Sequence, residues 1–257
     1  MKNALFAVLL VTPLFGILGT MIVSNRMAFF SDSLGHGAFT GIALGAVLGV
    51  VKPVWAAVLF SILFAVAITL IKNKSKTSTD TIIGVFSSVA IAAGIVIITY
   101  KGSFNKYSAF LIGDLLSITS SEILTLLFIF VGVIILWLLL FNRILMISIN
   151  RSLAASRGVN TLMVEILFTS AVAVVVTVSI QWVGLLIVNS LLVLPAAASR
   201  NVTINVRQYH LFSVLISVVS GLCGLILSYY LNTATGAAIV LVSAVIFFVT
   251  LSLRSRV

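Results

Sequence analysis

Long apolar runs fall at about residues 4–24, 29–51, 54–71, 81–100, 121–141, 161–180, 183–199, 209–231 and 236–253, with short polar breaks between them. Each approaches the roughly 20 residues that a helix needs to cross the hydrocarbon core of a bilayer. In hydrocarbon every backbone N–H and C=O must be paired within the protein, so only helices or closed barrels can span. These runs are too long and too uniformly apolar for barrel strands, which alternate between lipid-facing and lumen-facing residues. The pattern predicts an all-α, polytopic transmembrane helix bundle of eight or nine spans, forming a single membrane domain over residues 1–257. The run 183–199 is short and contains Pro195, which predicts a broken or re-entrant helix there. The N-terminal run resembles a signal peptide but has no clear cleavage site before the next run, so it reads as a first span.

Composition excludes a soluble fold. Of 257 residues, 61% are hydrophobic and 8% charged, against about 25% charged in an ordinary soluble domain. The mean hydropathy is +1.32. The net charge of +10 comes from Lys and Arg scattered between apolar runs, with no basic stripe or soluble module of the kind that binds nucleic acid. Their distribution sets an orientation instead. With the N-terminus outside and nine spans, eleven basic residues face the cytoplasm: Arg26, Lys72, Lys74, Lys76, Arg143, Arg151, Arg157, Arg200, Arg207, Arg254 and Arg256. Four, Lys2, Lys52, Lys101 and Lys106, face out. The bias is that of the positive-inside rule. Cys223 stands alone in an apolar run, supports no disulfide or Cys-based zinc site, and is expected as a small buried hydrophobe.

Chemistry must come from very few groups, because the chain has five acidic residues and two histidines. An ionisable side chain inside a span is costly and therefore marks a functional candidate. Asp32 and His36 lie at i and i+4 and share one helical face, offering an oxygen and a nitrogen to one divalent cation. Ser33, Gly35 and Gly37 leave room beside them. A structural zinc site wants four ligands in a closed shell. A two-ligand site is open and releases its ion, which suits passage. A simple Asp–His hydrogen bond is the competing explanation. Asp114 is a candidate carboxylate at an outer pore mouth, or a helix cap. Asp80 and Glu122 stand where helices begin and read as cap or dipole partners. Glu165 follows the 142–160 cytoplasmic segment and is placed to pair with a nearby Arg, while His210 reads as interfacial. No His-Glu-x-x-His and no Walker A sequence is present, so neither the usual zinc-protease chemistry nor P-loop ATP hydrolysis belongs to this chain.

The stretch from Asn25 to Gly45, with Asp32, His36, Gly41 and Ala43 in register, resembles the signature of the ABC-3 permeases, membrane subunits of bacterial ABC importers for zinc, manganese or iron. Ser31 stands where that family usually has Gly, and Thr40 where Pro is common; neither is a ligand position. Further blocks resemble the family in family order, at 80–84, 111–114, 153–158 and 183–198. The resemblance implies a type II ABC importer-like permease of the cell (inner) membrane. It implies a homodimer or second permease copy, a cytoplasmic ABC ATPase dimer, and an extracytoplasmic metal-binding protein. It also implies a transported divalent metal, with no permanently bound cofactor. Leu153, Ala154, Ala155 and Gly158 would form a short ATPase-coupling segment, their small side chains letting it lie close to its partner. Zinc is favoured over manganese or iron. The rival is a secondary metal carrier driven by an ion gradient; such carriers often show inverted repeats, and no repeat is evident here.

Overall fold

The computed structural model describes residues 2–50, 53–100, 113 and 115–254, the side chains of Leu116 and Leu186 apart. The described residues form ten α-helices and a short 3-10 turn, Leu115–Ser117. They are α1 (Lys2–Ser24), α2 (Phe30–Val47), α3 (Pro53–Lys74), α4 (Thr79–Tyr100) and α5 (Ser120–Ile149). After them come α6 (Arg151–Ser156), α7 (Thr161–Val183), α8 (Leu185–Val202), α9 (Val206–Leu231) and α10 (Thr235–Arg254).

Seven of these helices, α1, α3, α4, α5, α7, α9 and α10, are long and apolar enough to cross a membrane. Two of the nine apolar runs, those of α2 and α8, lie outside these seven helices. Helix α2 has 18 residues, and its first two turns carry Ser31, Asp32, Ser33 and His36. Helix α8 carries Asn189, Ser190, Ser199, Arg200 and Asn201 among its apolar residues. The run is not broken at Pro195: the interruption lies ahead of it, at Gly184 between α7 and α8, with φ +91° and ψ +147°. That backbone region is open almost only to glycine. Pro195 is carried inside α8. Gly113 comes so close to the break that a Cβ there would lie 2.3 Å from the Gly184 nitrogen.

The chain packs as two compact units, each drawn from separate stretches. One comprises Met1–Ala28, Phe110–Val131 and Ser179–Val257. Its described interior is α1 against α8 and α9, with α10 against α8 and α9. Close approach is made by small residues: a Cβ on Gly16 would sit 2.8 Å from Val214 Cα, and one on Gly224 would sit 2.4 Å from Ile239 Cα. Hydroxyls on α9 then reach the backbone of α1. Ser213 donates to the Gly16 carbonyl and Ser217 to the Thr12 carbonyl, both at 2.7 Å. Without water, these bonds satisfy groups that would otherwise cost several kcal/mol. Cys223 is exposed, not buried as expected. The inward face of α9 is the Ser213, Ser217, Ser220, Gly221, Gly224, Ser228 stripe, and Cys223 falls off it.

The second unit comprises Phe29–Ala109 and Gly132–Val178. Here α2 is the centre, packed against α3 on one side and α4 on another. Gly37, Gly41 and Gly45, spaced four apart, form the face toward α3. Added Cβ atoms would lie 2.9 Å from Phe64 Cδ1, 2.6 Å from Ala57 Cα and 2.8 Å from Ala56 Cβ respectively. Toward α4, Thr40 donates to the Ala90 carbonyl at 2.5 Å and Ser33 to the Ile83 carbonyl at 3.5 Å. Phe64 meets Phe86 edge to face at 5.5 Å.

Candidate functional site

Helix α2 opens after Phe29, which has no side-chain cap bond. Asp32 therefore sits in the first turn, where the unpaired N–H groups and the helix dipole favour a carboxylate. His36 follows one turn on. The two side chains meet at 3.5 Å between Asp32 Oδ2 and His36 Nε2. His36 is the more enclosed at 15% exposed, and Asp32 keeps 40% of its side chain open. That separation is longer than the usual 2.7–3.2 Å for an N–H···O bond. It is close to the spacing of two ligands on one ion. With metal–ligand bonds of about 2.0–2.2 Å and a tetrahedral angle, the two donor atoms lie about 3.4 Å apart. The glycines beside the pair do not leave an open space toward α3, because Gly37 is already in contact with Phe64. Among the described residues no group of three or more His, Cys, Asp or Glu side chains comes together.

The other ionisable candidates have distinct surroundings. Glu122 caps its own helix: Oε2 accepts from the Thr119 backbone N–H at 2.8 Å and from its hydroxyl at 2.7 Å. This is the reciprocal arm of a capping box. Oε1 of Glu122 accepts from Gln181. Asp80 is exposed in the first turn of α4, and the capping oxygen is that of Ser78, which accepts from Thr81 N–H at 3.2 Å. His210 pairs through Nδ1 with the Val206 carbonyl at 2.8 Å. Asp114 lies outside the described residues.

Residues 150–158 fold into a compact element. Asn150 caps α6 by accepting the Leu153 N–H at 3.0 Å. At the other end Gly158, at φ +77°, closes a Schellman turn: Gly158 N–H to the Ala155 carbonyl at 3.0 Å and Val159 N–H to the Ala154 carbonyl at 3.1 Å. Ala154 is fully buried within the chain, while Leu153, Ala155 and Gly158 are exposed. Glu165 does pair with an arginine, Arg151, at 3.2 Å. The pairing also takes in Lys72 of α3, one of the cytoplasmic basic residues, and its neighbour Asn73, which has no charge to mark it. Their closeness in chain to the end of a basic break was the available signal.

The model of the ABC 3 transport family matches residues 1–254. The chain belongs to that family. Among its relatives is the high-affinity zinc uptake system membrane protein ZnuB of Haemophilus influenzae. The two are 30% identical over 243 residues, 93% of this chain and 92% of the relative. The manganese transport system membrane protein MntC of Listeria monocytogenes is 29% identical, over 97% of this chain and 89% of the relative. A solved chain of PsaBC from Streptococcus pneumoniae, in complex with Fab, superposes with a TM-score of 0.85 at 26% identity. That match covers 97% of this chain and 90% of the other. As a member of the ABC 3 family with seven helices fit to span, this is a multi-pass membrane transport protein.

Proposed function

We propose that the chain is the permease subunit of an ATP-driven importer of divalent transition-metal ions, with Asp32 and His36 holding the ion in transit. The observation that carries the reading is the 3.5 Å Asp32–His36 pair on one face of α2. The carboxylate offsets the charge of a desolvated cation, and the imidazole adds a nitrogen ligand that suits zinc, manganese or iron. Two ligands leave the remaining positions to water or to a second permease copy, so the ion is held loosely enough to leave. ATP hydrolysis belongs to a cytoplasmic ABC ATPase dimer, which would dock on the exposed side of α6 at Leu153, Ala155 and Gly158. An extracytoplasmic binding protein would deliver the metal, with Asp114 as a cation-attracting carboxylate at the pore mouth. Helices α2 and α8 would complete the spans beside the seven long ones, giving nine. No cofactor is retained between cycles.

Zinc is the favoured cargo. The zinc and manganese relatives are almost equally similar to this chain, at 30% and 29%. The preference therefore rests on the imidazole and on the look of the signature. The test is uptake of radioactive zinc and, separately, manganese, normalised to membrane-inserted protein. Asp32→Asn and His36→Ala are expected to abolish uptake per molecule, and His36→Cys to keep part of the zinc uptake, because thiolate is a good zinc ligand. Wild-type uptake in both Asp32→Asn and His36→Ala would sink the site. Faster manganese than zinc uptake would overturn the metal preference alone.

A further inference from the structure

Glu165, on the second turn of α7, is the acceptor in a polar cluster that the transit site does not use. Its side chain is 13% exposed. Oε1 lies 3.2 Å from Arg151 Nη1 and 3.7 Å from Lys72 Nζ. Oε2 accepts from Asn73 Nδ2 at 2.9 Å and from Arg151 Nη2 at 3.4 Å. Two hydrogen bonds and two ion-pair contacts from two other helices thus surround the carboxylate. Arg151 engages it as a fork, the geometry that adds direction to an ion pair. The same guanidinium donates to Asn73 Oδ1, and Asn73 donates back to the Thr69 carbonyl at 2.8 Å. One turn along both helices, the Thr69 and Thr169 hydroxyls meet at 3.0 Å. Helices α3 and α7 are therefore pinned by two polar rungs, and the first residue of α6 is fastened to the outer one.

A six-residue helix cannot hold itself together in isolation. Helix α6 is kept by its Asn150 cap, by buried Ala154, by the Gly158 turn and by Arg151. Through Arg151 its first residue is tied to the end of α3. Along α3, Phe64 is eight residues before Lys72, about 12 Å at 1.5 Å per residue. At Phe64, Ala57 and Ala56 the helix meets the glycine face of α2 without slack.

We propose that Glu165 is the positioning residue through which movement of α6 reaches α3, and through α3 the helix that carries Asp32 and His36. The inference rests on reading α6 as the ATPase-docking segment and α2 as the metal-carrying helix. A clamp needed only for folding would lower the amount of assembled protein and leave the coupling of what assembles unchanged. A transmission residue changes how much metal moves for each ATP spent.

The experiment uses the full complex, with its ATPase and binding protein, in proteoliposomes. It reads zinc ions imported per ATP hydrolysed for wild type, Glu165→Gln and Asn73→Ala. The expected result is ATP hydrolysis that persists in both variants, with a ratio that falls by roughly three- to thirtyfold. An unchanged ratio in Glu165→Gln, in a complex whose wild type imports metal, overturns the inference and leaves the transport reading standing. Failure of both variants to assemble also overturns it, by making the cluster a folding clamp. A wild-type complex that hydrolyses ATP and moves no metal removes the transport reading itself.

Discussion

Replacing Gly41 by alanine tests the packing on which the site depends. A Cβ at that position would lie 2.6 Å from Ala57 Cα, 3.0 Å from Phe60 Cβ and 3.3 Å from the Ala57 carbonyl oxygen. Carbon atoms prefer separations of about 3.5–4.0 Å. The obstacle is backbone, so no rotamer change relieves it, and α2 and α3 must part by about 1 Å. Overpacking of this kind costs about 1–3 kcal/mol. Alanine returns about 0.5–1 kcal/mol through its better helix propensity. The net expectation is a loss of up to about 2.5 kcal/mol, centred near 1 kcal/mol, from these two terms. Gly84 of α4 is the control, because nothing lies within 4 Å of its added Cβ. Gly84→Ala keeps only the propensity gain, about 0.5–1 kcal/mol. Thermal unfolding of the purified protein in detergent should therefore move in opposite directions for the two variants. A Gly41→Ala protein as stable as wild type, or more so, would refute close α2–α3 contact as a support of the site.

Orientation is checked by single cysteines at Lys74 and Arg254, both exposed, in a Cys223→Ser background. An impermeant thiol reagent should leave both unlabelled in intact cells, and labelling of both from outside would invert the topology. At Gly158 strain and docking can be separated, because φ is +77° but nothing lies within 4 Å of an added Cβ. Gly158→Ala should cost about 1–2 kcal/mol of local stability through the left-handed backbone alone. Gly158→Trp carries the same strain plus bulk on the exposed side, so metal-dependent ATPase activity should fall further than in the alanine variant. Full activity in Gly158→Trp would exclude docking there.

Hydropathy located the helices because burial in lipid is a one-dimensional requirement on each run, and it placed their ends less well. The apolar run 121–141 continues as helix to Ile149, because the polar Asn142 and Arg143 end the apolar pattern without breaking the helix. At 30 residues and 1.5 Å per residue, α5 is about 45 Å long, more than the apolar core needs. The break between α7 and α8 sits on Gly184, a residue that hydropathy scores as neutral; only its backbone conformation marks it. The i, i+4 spacing alone brings Asp32 and His36 together, because a helix settles that geometry locally. Thr119 and Glu122 are legible as a capping box for the same reason. The Glu165 cluster is different. Its partners lie 14, 92 and 93 residues away in the chain, and no local period relates them. The position of Glu165 after a basic segment calls for an arginine partner, but nothing local in the sequence selects Arg151 or adds Asn73.

What separates Asp32 and His36 from the other polar groups of the spans is how each group is used. Most of the hydroxyls that face inward are committed to a carbonyl. Thr12 donates to Val8 and Thr69 to Ala65 on their own helices, both at 2.8 Å, and Ser213 and Ser217 donate across to α1. Such bonds let polar side chains ride in an apolar helix at little cost, and they explain the side chains completely. The carboxylate of Glu165 is likewise engaged, by hydrogen bonds from Asn73 and Arg151 and by the Lys72 ion pair. Among the described residues Asp32 and His36 meet each other, at a distance too long for a good hydrogen bond and suited to two ligands of one ion. Lone pairs left uncommitted in a lipid-solvated chain are a standing cost. A cation that visits the pair would repay that cost for as long as it stays, which is what a transit site requires.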